Sequence, residues 1–151
     1  MTDSGTSCDL CDETGGEVIL HAEKFRVVLV DDAQYPGFCR VVWNAHVREM
    51  SDLPATDRTL LMEAVWGVEM AVREVMMPAK MNVASLGNMV PHLHWHVIPR
   101  HADDAHYPNP VWAATQRDAD PAMLATRAAL LPALRAAVAR HVNSSPLNTG
   151  K

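Results

Sequence analysis

Residues 92–100 read HLHWHVIPR, with His92, His94 and His96 alternating with Leu93, Trp95 and Val97. A β-strand sends successive side chains to opposite faces, so a strand would present the three imidazoles together and the three apolar groups together. A helix would place His94 nearly opposite its two neighbours. Pro91 and Pro99 bracket the run, and proline is at home at strand ends rather than inside a ladder. The alternation therefore predicts a strand over residues 92–98 with one face in the core and one face at a site. A single histidine in such a run would be read as facing water. Three in strict register with large apolar residues argue for chemistry.

Outward from this strand, the chain has 151 residues, enough for one domain with a real core. Its composition is 48% hydrophobic and 21% charged, as in ordinary globular proteins. The formal net charge is −5, which argues against a nucleic-acid polymer as partner, because phosphate backbones demand clustered Lys and Arg. A small phosphorylated ligand in a local pocket is still allowed. The start, MTDSGTSCDL, lacks the basic and apolar runs of an export signal, and no stretch has membrane-spanning length. The expected location is the cytoplasm, with no membrane partner. Three cysteines, an odd number, point to a metal site or free thiols rather than disulfides.

The remaining elements follow from local pattern. VIL at 18–20 and FRVVLV at 25–30 read as strands, and FCRVVW at 38–43 reads as another, after a turn at Tyr35-Pro36-Gly37. From Pro54 to Met77 the period changes. Leu61, Val65, Val68, Val72 and Val75 line one face of a long helix that Pro78 stops. KMNVASL at 80–86 reads as a strand that turns through Gly87-Asn88 into the histidine strand. A helical stretch over 121–142 should kink or split at Pro132. The order β-β-β-α-β-β-α predicts an α+β fold: a five-stranded antiparallel sheet with one long helix packed on it and a C-terminal helix. Residues 8–142 form the expected single domain, flanked by loose tails at 1–7 and 143–151.

A face of imidazoles suits metal binding, nucleophilic attack with a covalent intermediate, or general acid–base work. One reading is a catalytic zinc hydrolase holding its ion with His92, His94 and His96. Zinc hydrolases with His-x-His strands usually add an aspartate to the motif, and none lies between Pro91 and Pro99.

The run HLHWHVI resembles the histidine triad family of nucleotide hydrolases and transferases, whose pattern is His-φ-His-φ-His-φ-φ with φ apolar. All seven positions fit. The flanks Gly87-Asn88-Met89-Val90-Pro91 and IPR agree, as does the upstream order in VVLVDDAQYPGFCRVVWNAH. The resemblance covers about residues 8–112. It implies that His94 attacks the α-phosphorus of a nucleotide to give a nucleotidyl-histidine, which water then hydrolyses. It implies that His96 stands beside the phosphate or leaving group as a donor. Asn88 and Asn82 become candidate polar contacts, and Asp31 the candidate partner of the ribose hydroxyls, with Asp32 next in line. Met89 departs from the family, standing where many relatives carry a Ser or Thr that donates to phosphate. A nucleotide-binding protein with little turnover is the third function class.

Cys8-Asp9-Leu10-Cys11 is half of a zinc site by its spacing. The same resemblance supplies the other half, so that Cys8, Cys11, His46 and His92 are the expected ligands of a structural zinc. It implies no organic cofactor, and it implies a homodimer, in keeping with more apolar surface than one small sheet should cover. Cys39 reads as a core residue, and Trp95 and Trp112 as core-packing or subunit-contact residues with base stacking as the alternative. Asp103-Asp104 reads as a solvated turn, the alternative being magnesium–phosphate steering. His21, His101, His106 and His141 have no expected chemical role.

Overall fold

The computed structural model describes residues 7–143. The expected loose tails lie outside the described residues except for Ser7 and Asn143, and Asn143 closes the last helix. A short helix, α1 (Asp9–Asp12), precedes β1 (Glu17–His21), β2 (Phe25–Leu29) and β3 (Cys39–Trp43). The long helix α2 (Ala55–Met76) follows, then β4 (Lys80–Ala84) and β5 (His94–Arg100), and finally α3 (Pro121–Ala128) and α4 (Leu131–Asn143). The strands form one antiparallel sheet in the order β1-β2-β3-β5-β4. The expected α+β architecture is therefore the observed one. Among the described residues no single helix is long and apolar enough to cross a membrane.

Alternation fixes what each face of the sheet does. Phe25, Val27 and Leu29 of β2, Cys39, Val41 and Trp43 of β3, and Val97 of β5 enter one core with Leu93. On the other side of that core lies the apolar stripe of α2, with Leu61, Ala64, Val65, Val68, Ala71 and Val72 fully buried. The helix ends where Met77 takes a left-handed conformation at φ 48°, directly before Pro78. Gly67 lets α4 close on α2, because a Cβ there would stand 3.2–3.3 Å from Val142. This contact covers part of the apolar surface of α2, while Trp66 and Met70 stay half exposed.

Two boundaries differ from expectation. The histidine strand begins at His94, not His92, and runs on to Arg100. His92 is held before it by a turn, with its amide on the Val90 carbonyl, and pairing with β3 opens at Val42–His94. Pro99 is tolerated within β5 because the β3 ladder ends at Cys39–Val97, two residues earlier. The C-terminal stretch is two helices, bent by 45° at the break. Pro132 lies in the first turn of α4, where a missing N–H costs little.

Candidate functional site

The face of the sheet opposite α2 carries the molecule's buried polar groups. Arg26, His92, His94, His96, Arg100 and Asp104 are each no more than 7% exposed. Leu93, Trp95 and Val97 turn to the core, so the alternation delivers the imidazoles to one side as expected.

Hydrogen bonds assign the ring nitrogens. His94 Nδ1 lies 2.5 Å from the carbonyl oxygen of His92. A carbonyl only accepts, so Nδ1 carries the proton and Nε2 is left with a free lone pair. Burial, followed by the nearby Arg40 charge, pulls the His94 pKa below its ordinary value, which keeps the ring neutral at pH 7. His96 is pulled down to about 4, first by burial and then by His94 and Arg40. Its ring packs edge-on against His94 at 4.9 Å, Phe38 at 5.7 Å and Trp112 at 5.3 Å between centroids. Its Nδ1 is buried without a hydrogen-bond partner.

His94 and His96 line a cleft of about 640 Å³ with Arg40, Gly87, Asn88 and Trp112. Met89 is 94% exposed on the same rim. Asn82 lies on β4 outside the cleft, and its Oδ1 accepts from Arg100 Nη1 at 2.8 Å. Asp31 is not brought to the histidines. It lines a different cavity with Leu29 and the α3 residues Leu124 and Ala125, while the Asp32 carboxylate caps the Gln34 amide at 3.0 Å.

Beside the cleft, His92 faces the other way. Its Nε2 donates to the Trp43 carbonyl at 2.5 Å, which leaves Nδ1 bare. That nitrogen is 3.5 Å from both Cys8 Sγ and Cys11 Sγ and 3.2 Å from His46 Nδ1, and Cys11 Sγ is 3.4 Å from His46 Nδ1. All four ligand atoms lie within 4.8 Å of one another, a cluster that could hold a metal ion. Among the described residues His92 gathers with Cys8, Cys11 and His46 rather than with His94 and His96. Arg26 ties the cysteine segment to the sheet through the carbonyls of Leu10, Glu13 and Thr14.

Other residues resolve into structural roles. Cys39 is fully buried, and burial pushes its thiol up to about 12, so it is an inert core residue. Asp104 is no solvated turn. At 2% exposure it pairs with Arg100 at 2.8 Å and accepts the amides of His101, His106 and Tyr107. Burial raises its pKa, but these donors outweigh that and hold the carboxyl far below its usual range. Asp103 pairs with Arg127 at 2.8 Å. Trp112 is half exposed over the cleft rather than packed in the core. Arg40 was missed by sequence reasoning. Only the pairing of Arg40 with His96 across β3 and β5 reveals it, and no local pattern carries that register.

A family model for the HIT domain matches residues 12–103. The solved structure of a histidine triad protein from Bradyrhizobium japonicum is 30% identical, covering 85% of this chain and 92% of that one, with a TM-score of 0.68. A histidine triad protein from Marinobacter aquaeolei VT8 is 28% identical over 83% of this chain and 92% of its own, with a TM-score of 0.65. A zinc-bound histidine triad family protein from Mycobacterium smegmatis superposes at a TM-score of 0.58, over 92% and 98% of the two chains. At 24% identity it speaks to the fold alone. Comparison with curated proteins yields no match.

Proposed function

This chain belongs to the HIT domain family, of the nucleotide-binding and hydrolase class, and we propose that it cleaves nucleoside phosphate derivatives at the α-phosphorus through a nucleotidyl-His94 intermediate. The observation that carries this reading is the His92 carbonyl on His94 Nδ1, which leaves Nε2 unprotonated on a neutral ring that lines the cleft. Nε2 forms a bond to phosphorus, and the bond from phosphorus to the leaving group breaks. The imidazolium formed is stabilised by the same carbonyl, because Nδ1–H becomes a stronger donor. Water then displaces the imidazole, releases the nucleoside monophosphate and returns His94 to its neutral state. His96, beside His94, donates one N–H to the phosphate or the departing atom. Asn88 supplies an amide at the rim. Dinucleoside polyphosphates and nucleoside phosphoramidates are the two substrate groups.

Cys8, Cys11, His46 and His92 would hold a structural zinc. Ordinary Zn–N and Zn–S bonds in a tetrahedron imply edges of about 3.3 Å between nitrogens and about 3.6 Å between sulfur and nitrogen. The corresponding separations here are 3.2 Å and 3.4–3.5 Å. When bound, the ion would supply a cross-link between the cysteine segment and the sheet. Zinc content near one per chain by plasma emission supports this, and a trace content in protein purified without chelators refutes it. The reading also includes a homodimer, checked by light scattering at micromolar concentration.

The deciding experiment is intact-protein mass after rapid quenching with diadenosine tetraphosphate and with an adenosine phosphoramidate. An adduct of one adenylyl group in wild type, absent from His94→Ala, is the expected result. Nucleotide binding with neither adduct nor product would move the chain to the binding-protein class.

A further inference from the structure

Three arginines stand on the histidine face, and they are not equivalent: Arg100 is already held by Asp104 and Asn82. Arg26 spends its guanidinium on four oxygens: the Leu10, Glu13 and Thr14 carbonyls and Asn44 Oδ1. Arg40, one strand closer to the triad, makes a single hydrogen bond among the described residues, from Nη1 to the Gly15 carbonyl at 3.1 Å. Its Nε is buried with no partner. It pairs directly with His96 across the sheet and, among the described residues, is the one Lys or Arg lining the cleft with His94 and His96. The acidic lining residues Asp9 and Glu13 are exposed, on the cysteine segment, whereas Arg40 is half-buried on its strand.

A half-buried guanidinium with a buried, unpartnered Nε–H is costly unless an anion offsets it. The planar fork of N–H donors suits phosphate oxygens. We propose that Arg40 binds the phosphate chain of the leaving group, so that the site favours substrates that depart as a phosphate or polyphosphate over those that depart as an amine. This rests on the reading of His94 as the nucleophile and adds to it the chemical class of the leaving group. Cleavage of a polyphosphate breaks a P–O bond and leaves the electron pair on an oxyanion, whose charge Arg40 meets. Cleavage of a phosphoramidate breaks a P–N bond, and the amine leaves after taking up a proton, with no negative charge for Arg40 to bind.

The test compares kcat/KM on diadenosine tetraphosphate and on an adenosine phosphoramidate for wild type, Arg40→Gln and Arg40→Lys, with melting curves alongside. Loss of a charged hydrogen bond predicts a fall of roughly 10- to 100-fold on the tetraphosphate for Arg40→Gln. The phosphoramidate should lose less than about threefold by the same comparison, and Arg40→Lys should recover part of the loss. Equal losses on both substrates, or no loss on either, overturn the proposal. Inorganic tripolyphosphate gives an independent readout. Titration calorimetry should show it binding wild type at least tenfold more tightly than Arg40→Gln. If Arg40→Gln fails to fold, Arg40→Lys and tripolyphosphate inhibition of the wild type decide, and no inhibition refutes the assignment. If wild type forms no His94 adduct with either substrate, the covalent reading fails. Tripolyphosphate affinity then tests Arg40 alone.

Discussion

The two faces of this sheet obey different rules. On the α2 side, Val27, Val41 and Val97 are wholly buried, and the face is sealed by the apolar stripe of one helix. On the other side, buried polar groups sit beside small apolar clusters built on Val28, Val42 and Ile98, and each polar group is held by a named donor or acceptor or left open toward a cleft. The apolar face is stabilised by area removed from water, which is indifferent to direction. The polar face depends on direction: which nitrogen carries a proton, which carbonyl it meets. A residue on the first face should therefore matter for folding and one on the second for chemistry, even when they are three apart on the same strand.

The sharpest way to break this contrast is to substitute both kinds of residue in β5. Val97→Asp buries an unpaired carboxylate in a closed core, and the expected cost is upwards of about 4 kcal/mol, enough to abolish the cooperative urea transition. A folded Val97→Asp protein would mean that the α2 face is looser than its burial implies. His94→Ala, by comparison, opens into the cleft and removes one hydrogen bond. Turnover should fall by roughly 10³-fold or more, while the urea midpoint moves by the equivalent of about 1–2 kcal/mol. If both variants unfold alike, the division of labour is wrong.

The pH dependence of stability should belong to the histidine face alone, since the apolar face has no group that titrates near neutrality. His96 has a folded pKa of about 4, held down first by burial, against an ordinary 6.5. Below pH 6.5 the unfolded chain takes up a proton that the folded protein refuses until pH 4. Stability is therefore full above 6.5 and falls as the pH drops through that window, by on the order of 2–3 kcal/mol. The downward shift of His101, caused chiefly by burial, acts with the same sign. Urea midpoints from pH 4 to 8 measure the slope, and His96→Asn should flatten it. The smallest effect is expected from a contact on neither face. Arg135 pairs with Glu17 at 2.8 Å with both side chains over a third exposed. Arg135→Ala should leave the urea midpoint unchanged within error, because solvent screens such pairs.

Much of this was legible in the chain. Alternation in HLHWHVIPR declared the strand and its two faces, and the α2 period declared the helix. The four metal-cluster residues were named from spacing and resemblance before they were seen together. What escaped reading depends on register between distant strands. Arg40 is unremarkable in FCRVVW until β3 is laid beside β5. Asp31 lies two residues beyond the end of β2, and where the chain carries it after Leu29 is not written in the local pattern. Asp104 looked like turn chemistry although its partner Arg100 is only four residues away, because the burial that makes the pair structural comes from tertiary packing.

β5 is the last strand to leave the ribosome and lies inside the sheet, between β3 and β4. During synthesis β4 therefore waits without a neighbour and β3 keeps an open edge until residues 94–100 arrive. Cys8 waits longer still, because His92, its neighbour in space, follows 84 positions later. Such non-local closure is slow and comes late in folding. The same seven residues complete the sheet and bring in the reactive imidazoles. A chain cut before residue 94 therefore lacks both the strand that completes the sheet and the imidazoles that line the cleft.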